Sequence, residues 1–117
     1  MNTFTINTAD LTGAALHWAV AKAIGSTDTT APYSTEWYLG GPILHDHGIG
    51  FHRNGKRVYA NEAKRWEANR TVNQDEAPIL RHGYRAHGET PLIASMRCLV
   101  RSKLGETVDV PADLIAA

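Results

Sequence analysis

An amphipathic pattern between Thr90 and Gly105 is the feature that most constrains the fold of this chain. Thr90 is a candidate N-cap, Pro91 suits the first helical position, and Gly105 follows the last periodic residue. Between them the apolar side chains recur at helical spacing as one stripe: Leu92, Ile93, Met96, Leu99, Val100 and Leu104. Such a stripe must be buried against another element, so we predict that the rest of the chain packs around this helix.

A second apolar pattern predicts an N-terminal helix from Asp10 to Ile24. Its apolar face is formed by residues spaced three and four apart: Leu11, Ala14, Ala15, Trp18 and Ala19. Asp10 or Thr12 can cap its first amides, and Gly25 suits the left-handed residue that ends a helix.

The middle of the chain has the pattern of strands. Asn54-Gly55 is a strong hairpin signal between the candidate strands Gly48–Arg53 and Lys56–Ala60, and Ile43 and Leu44 supply apolar strand positions before it. A further strand is expected from Arg65 to Val72, whereas Asn73 to Gly88 is expected to form a long loop.

These patterns together predict an α+β fold. Thr107 to Val110 is expected to be extended, and Pro111 to begin a short turn. A small antiparallel sheet of about three to four strands would be packed by the N-terminal and the C-terminal helix. A chain of 117 residues has room for one core, so residues 1–117 are expected to form a single domain.

Composition and charge narrow the class of protein. Twelve Lys and Arg residues balance twelve Asp and Glu residues, which argues against a general binder of nucleic acid or membrane surfaces. The lone Cys98 excludes an intramolecular disulfide. Met1 to Asp10 lacks the pattern of a signal peptide, and no apolar stretch approaches the ~18 residues of a membrane span. We therefore expect a cytoplasmic protein with no membrane partner.

Three stretches of the chain resemble one known family. They are LTGAALHWAVA from Leu11, YSTEW from Tyr33 with GGPI from Gly40, and GETPLIASMRC from Gly88 continued by SKLG. They are similar to the NinX family of small bacteriophage and prophage proteins. The resemblance implies a phage or prophage gene expressed in a bacterial host, and it implies no particular reaction. This chain departs from the family after Ile43, where it has Leu-His-Asp-His in place of charged residues.

The histidines at this point form a candidate metal site. On a strand, His45 and His47 would face the same side, with His52 five residues later. Three imidazoles can hold a divalent zinc, nickel or copper ion. The corresponding catalytic hypothesis is a metal-dependent nuclease, but Glu62 to Arg70 lacks the helical histidine that a ββα-metal site needs. We therefore favour surface histidines, no cofactor and no catalytic machinery.

A second candidate site comes from the stretches that resemble the family. Two hydroxyls lie between two aromatic residues, two glycines follow, and one arginine is the only charged residue in its helical segment. These residues would bind a small anionic, nucleotide-like ligand: Tyr33, Ser34, Thr35, Trp37, Gly40, Gly41 and Arg97. The alternative is structural, with hydroxyls that shape a turn, tryptophans in the core, and Arg97 paired with Glu36 or a carbonyl.

No nucleophile elbow, phosphate-binding loop or dinucleotide fingerprint occurs in the chain. The expected function is therefore that of a non-catalytic phage accessory protein, which binds a host or phage protein and forms a small homo-oligomer. The alternatives are a binder of a small anionic ligand and a metal-dependent nuclease that uses His45, His47 and His52.

Overall fold

The computed structural model describes residues 2–54, 64–71 and 83–115. Its three helices are α1 (Gly13–Ile24), α2 (Trp37–His47) and α3 (Pro91–Leu104). Its five strands are β1 (Thr3–Asn7), β2 (Ile49–Arg53), β3 (Trp66–Thr71), β4 (Gly83–Gly88) and β5 (Thr107–Pro111). Short 3₁₀ turns follow β1 and β5, at Thr8–Asp10 and Ala112–Leu114. The α+β class predicted from the sequence is confirmed.

The strands form two antiparallel sheets instead of one. β1 pairs with β5, from Thr3 opposite Pro111 to Asn7 opposite Thr107. The other sheet has the order β2-β3-β4. β1 carries no fully buried side chain and its partner is about a hundred residues away, so no local pattern marked it as a strand.

The hairpin predicted at Asn54-Gly55 falls partly outside the described residues, because Gly55 is not among them. The strand predicted before it is present as β2, which pairs with β3: Arg53 is opposite Trp66, and the amide of Asn54 donates to the carbonyl of Arg65 at 2.8 Å. The predicted second strand, Lys56–Ala60, lies outside the described residues. The strand predicted at Arg65–Val72 is confirmed as β3.

Two further predictions for the middle of the chain are corrected. Ile43 and Leu44 lie buried on α2 and not on a strand. Helical burial outweighs the poor local propensity of the Gly40-Gly41-Pro42 segment. Gly40 is needed there because an added Cβ would lie 2.7 Å from the carbonyl oxygen of Tyr33. The predicted loop before α3 contains β4, whose last residue, Gly88, packs against the first turns of α3.

α3 is the element around which the others pack. It contacts β2, β3 and β4 on one side and α1, α2 and the turn after β1 on others. The three-stranded sheet packs against α3 with one small or apolar buried residue from each strand: Ile49, Ala68 and Ala86. Both ends of α3 are as predicted: the hydroxyl of Thr90 accepts from the amide of Ile93 at 3.1 Å, and the helix stops before Gly105.

We predict that Gly88→Ala destabilises the fold by about 2 kcal/mol, within the usual range for overpacking a tight contact. A Cβ at Gly88 would lie 2.6 Å from the backbone nitrogen of Ala94 and 2.9 Å from Cγ2 of Ile93. Gly41→Ala is the matched control, because a Cβ there meets nothing within 4 Å, and it should stabilise by about 0.5–1 kcal/mol. Urea unfolding measures the free energy of unfolding of both variants. Equal changes in the two variants would contradict the close packing of Gly88 against α3.

Candidate functional site

Arg97 joins three parts of the chain that are distant in sequence. Its Nε donates to the carbonyl of Leu11 at 2.7 Å, and its Nη1 donates to the carbonyl of His87 at 2.9 Å. The residue is only 8% exposed. It therefore fixes α3 to the segment that enters α1 and to the end of β4.

Arg97 also lines a cleft of about 570 Å³. The cleft lies between the turn after β1, the N-terminus of α1, β4 and α3. Its polar lining has four cationic side chains, Lys64, Arg85, Arg97 and Arg101, and three acidic ones, Asp10, Glu89 and Glu106. His87 and two threonines, Thr8 and Thr12, complete the polar lining. We call it the arginine cleft.

Burial controls the ionisation of Arg97. Desolvation lowers the pKa of its guanidinium, and the more distant carboxylates of Glu89 and Asp10 oppose this change. Within the described residues, no carboxylate oxygen lies within 4.0 Å of Arg97. The side chain is thus a buried charge that is hydrogen-bonded to neutral carbonyls.

The Tyr33 to Trp37 segment belongs to a different cavity. Ser34, Thr35 and Trp37 line a small pocket of about 200 Å³ together with Thr90–Ile93, the first turn of α3. Tyr33 is buried, and its hydroxyl donates to the carbonyl of Asp28 at 3.0 Å. The structure therefore brings the two hydroxyls and Trp37 together, and it places Arg97 in the arginine cleft instead.

The two glycines of this candidate set differ in their surroundings. Gly40 is buried where α2 approaches Leu92, whereas an added Cβ at Gly41 would meet nothing within 4 Å. Gly40 therefore allows close helix packing. Neither glycine is among the residues that line the two cavities.

Ser34 makes a contact that sequence spacing does not reveal. Its Oγ is hydrogen-bonded to Nε2 of His17 at 2.6 Å, and Ser34 is 3% exposed. Burial lowers the pKa of His17, which favours the neutral ring. The pair connects α1 to the segment before α2, and the seventeen-residue separation carries no signal in the sequence.

The candidate metal ligands do not share one face. His45 and His47 lie on α2, where residues two apart point in different directions, and His52 lies on β2. Nε2 of His52 is 3.3 Å from a carboxylate oxygen of Glu67, whose other oxygen is 3.1 Å from Nε2 of His87. Over the described ranges, no group of three or more His, Cys, Asp or Glu residues has a metal-holding arrangement.

Three aromatic rings, two exposed and one partly buried, contact one another where α2 meets the three-stranded sheet, and the exposed Tyr38 follows the first of them on α2. Trp37 and Phe51 have ring centroids 5.9 Å apart, and Phe51 and Trp66 have centroids 6.0 Å apart. Tyr38 is 73% exposed, Trp37 49% and Phe51 40%. We call these four residues the aromatic surface. Arg53 is exposed beside it, directly opposite Trp66 in the sheet register.

The chain matches a known protein family. The family model described as bacteriophage P22, NinX matches residues 24–103, more than half of the 117 residues. The matched range includes the Tyr33 to Trp37 segment, the aromatic surface and Arg97. No curated protein matches the chain significantly. Within the described residues, no helix has the length and hydropathy to cross a membrane.

We predict that Arg97→Met lowers the free energy of unfolding by about 3 kcal/mol, because two buried carbonyls lose charged donors. Arg53→Met is the control, since an exposed arginine should change stability by less than about 0.5 kcal/mol. Urea unfolding gives both values. A loss at Arg97 no larger than that at Arg53 would show that the bridge contributes little.

We also predict a pH-dependent contribution from His17. Burial depresses its pKa below the ordinary value of 6.5 in the folded state only. Its contribution to stability is therefore complete above pH 6.5 and is lost as the pH falls through the folded-state pKa. Between pH 7 and pH 5, roughly, the unfolding free energy of His17→Gln should fall less than that of the unmodified chain. Identical slopes in His17→Gln and the unmodified chain would exclude this role of His17.

Proposed function

The chain belongs to the NinX family of bacteriophage P22, and from this premise we propose that it is a non-catalytic phage accessory protein of the host cytoplasm. It acts by binding a host or phage protein through the aromatic surface. The observation that carries the proposal is the exposure of Trp37 and Phe51, whose rings are in contact, together with the exposed Tyr38 that follows Trp37 on α2. Large aromatic side chains of this kind supply most of the energy at protein interfaces.

The composition of the surface fits a protein partner. Trp, Tyr and Arg are the residues most enriched among those that dominate binding energy, and all three types occur here. Arg53 adds a charged group at the edge of the aromatic row. Exposed apolar rings next to a polar rim are typical of a protein-binding patch.

The surface is also held in place before any partner binds. Ile43 and Leu44 bury the inner face of α2, and Ile49 buries the start of β2. The ring contacts of Phe51 with Trp37 and Trp66 connect the two elements. A pre-ordered surface loses less conformational entropy on association, which favours affinity.

Charge near the surface argues for a protein over a single-stranded nucleic acid. Stacking platforms for nucleic acid lie in positively charged grooves. Here the exposed Glu36, which directly precedes Trp37, adds a negative charge on the α2 side, whereas Arg53 and Arg65 adjoin Trp66 on the sheet side. The described residues next to the rings therefore do not form a uniformly cationic groove.

The alternative functions receive less support at the residues first assigned to them. The set proposed for an anionic ligand is divided between two cavities, with Ser34, Thr35 and Trp37 in one and Arg97 in the other. The histidines proposed for a metal-dependent nuclease lie on separate elements. A second copy of this chain is an alternative occupant of the aromatic surface.

We test the proposal by site-specific photocrosslinking in bacterial host cells. A benzophenone side chain at position 38, in place of Tyr38, should capture one defined host or phage protein. The same group at position 4, in place of the 55% exposed Phe4 on β1, should not. Equal products from both positions would contradict the proposal. A product with the mass of two copies would replace it with self-association, and a nucleic-acid product would replace it with nucleic-acid binding.

The captured partner then allows a quantitative prediction. With the purified partner, Trp37→Ala should weaken binding by more than about tenfold, whereas Phe4→Ala should change the Kd by less than about twofold. Isothermal titration calorimetry measures both, and circular dichroism checks that each variant is folded. Equal losses for the two variants would show that the aromatic surface is not the binding site.

A further inference from the structure

Two arginines one helical turn apart point along the same face of α3. Arg97 uses Nε and Nη1 to bind the carbonyls of Leu11 and His87. Arg101 uses the same two atoms, with Nε donating to Oε1 of Glu106 at 2.8 Å and Nη1 donating to the carbonyl of Arg85 at 2.7 Å. Each guanidinium is therefore fixed on one side by the protein itself.

The third nitrogen of each guanidinium is available for another partner. Among the described residues, nothing accepts a hydrogen bond from Nη2 of Arg97 or of Arg101. No buried side-chain polar atom of the described chain lacks a partner, so neither Nη2 is walled off from solvent. Both arginines line the arginine cleft. The cleft thus receives two oriented N–H donor groups, each carrying positive charge.

The charges are unequally neutralised. Glu106 is paired with Arg101, whereas within the described ranges no carboxylate lies within 4.0 Å of the buried Arg97. The carboxylates of Glu89 and Asp10 act on Arg97 only from a distance, so an anion in direct contact with its guanidinium would offset more of the cost of burying the charge. Arg85 and Lys64 add positive charge to the same lining.

The N-terminus of α1 contributes at the same cleft. Thr12 is its N-cap, but the Thr12 hydroxyl makes no capping hydrogen bond. The first amides of a helix have no partner within the helix and carry the positive end of its dipole. Helix N-termini bind phosphate groups for this reason. Thr12 lies in the same lining as the two arginines, so the N-terminus of α1 is next to them at the edge of the cleft.

We propose that the arginine cleft binds a small phosphate monoester. Its phosphoryl group is held by Nη2 of Arg97, Nη2 of Arg101 and the N-terminus of α1. The cleft volume of about 570 Å³ is large enough for more than a bare phosphate ion. Asp10 and Glu89 in the lining supply acceptors for hydroxyl or amino groups on the rest of the molecule. This site is separate from the aromatic surface and does not depend on protein binding there.

Calorimetric titration of the full chain tests the proposal with four probes. Two are phosphate monoesters, AMP and glucose 6-phosphate, and the others are their uncharged parents, adenosine and glucose. We expect at least one ester to bind saturably and its parent to bind at least about tenfold more weakly. Binding of AMP alone identifies a nucleotide, and binding of glucose 6-phosphate alone identifies a sugar phosphate.

Variants of the lining locate the site. Arg97 is unsuitable alone, because its replacement also breaks the bridge between Leu11 and His87. Arg101→Gln and Arg85→Gln alter partly or fully exposed side chains and should each weaken the binding of the ester by at least about fivefold to tenfold, with unchanged thermal unfolding. Arg53→Gln is the control. Arg53 lies on β2, at the other edge of the sheet from β4, and does not line the arginine cleft, so this variant should bind the ester as the unmodified chain does.

Three outcomes would overturn the proposal. One is the absence of saturable binding of either ester at millimolar concentration. Another is equal affinity for an ester and its uncharged parent, which would show that the phosphoryl group is not recognised. The third is an equal loss of binding in Arg53→Gln and Arg101→Gln, which would show attraction by overall charge and not by the arginine cleft.

Discussion

The bridge from Arg97 to the carbonyls of Leu11 and His87 is the interaction on which the arrangement of the other elements depends. α3 contacts the three-stranded sheet and α1, and apolar packing alone permits it to rotate or slide along them. Two directional hydrogen bonds from one rigid guanidinium remove that freedom. The bridge therefore sets the position of the sheet relative to the N-terminal segment.

The elements that the sequence predicts well are those whose signals are local. The cap at Thr90 and the left-handed residue at Gly25 are decided by side chains next to the helix ends, and both occur in the structure. α2 was missed because Gly40, Gly41 and Pro42 disfavour a helix locally, whereas burial of Ile43 against the core favours one. The pairing of β1 with β5 joins the two ends of the chain, and hydrophobic periodicity contains no information on such a pairing.

The candidate sites also differ in what the sequence can predict: it marks single residues, but it does not show which of them lie together in the fold. The sequence identified Arg97 and the Tyr33 to Trp37 segment as unusual, but it could not show that α3 separates them. Thr90–Ile93 lines one cavity, and Arg97 and Arg101 line the other, one to three turns further along the helix. Similarly, the structural alternative to a ligand site had the tryptophans in the core, whereas Trp37 is half exposed and forms part of the aromatic surface.

Arg97 connects the stability of the fold with the chemistry of the arginine cleft. A methionine would fill similar space without desolvating a charge, but it would leave two carbonyls without donors. The guanidinium satisfies both carbonyls, and its Nη2, which has no partner among the described residues, is not completely buried. A bound anion would therefore stabilise the same bridge that positions α3, so ligand affinity and folding stability are coupled through this residue. Arg85 and Arg101 line the same cleft without spanning the core. Substitutions at these two residues therefore separate the effect on ligand affinity from the effect on folding stability.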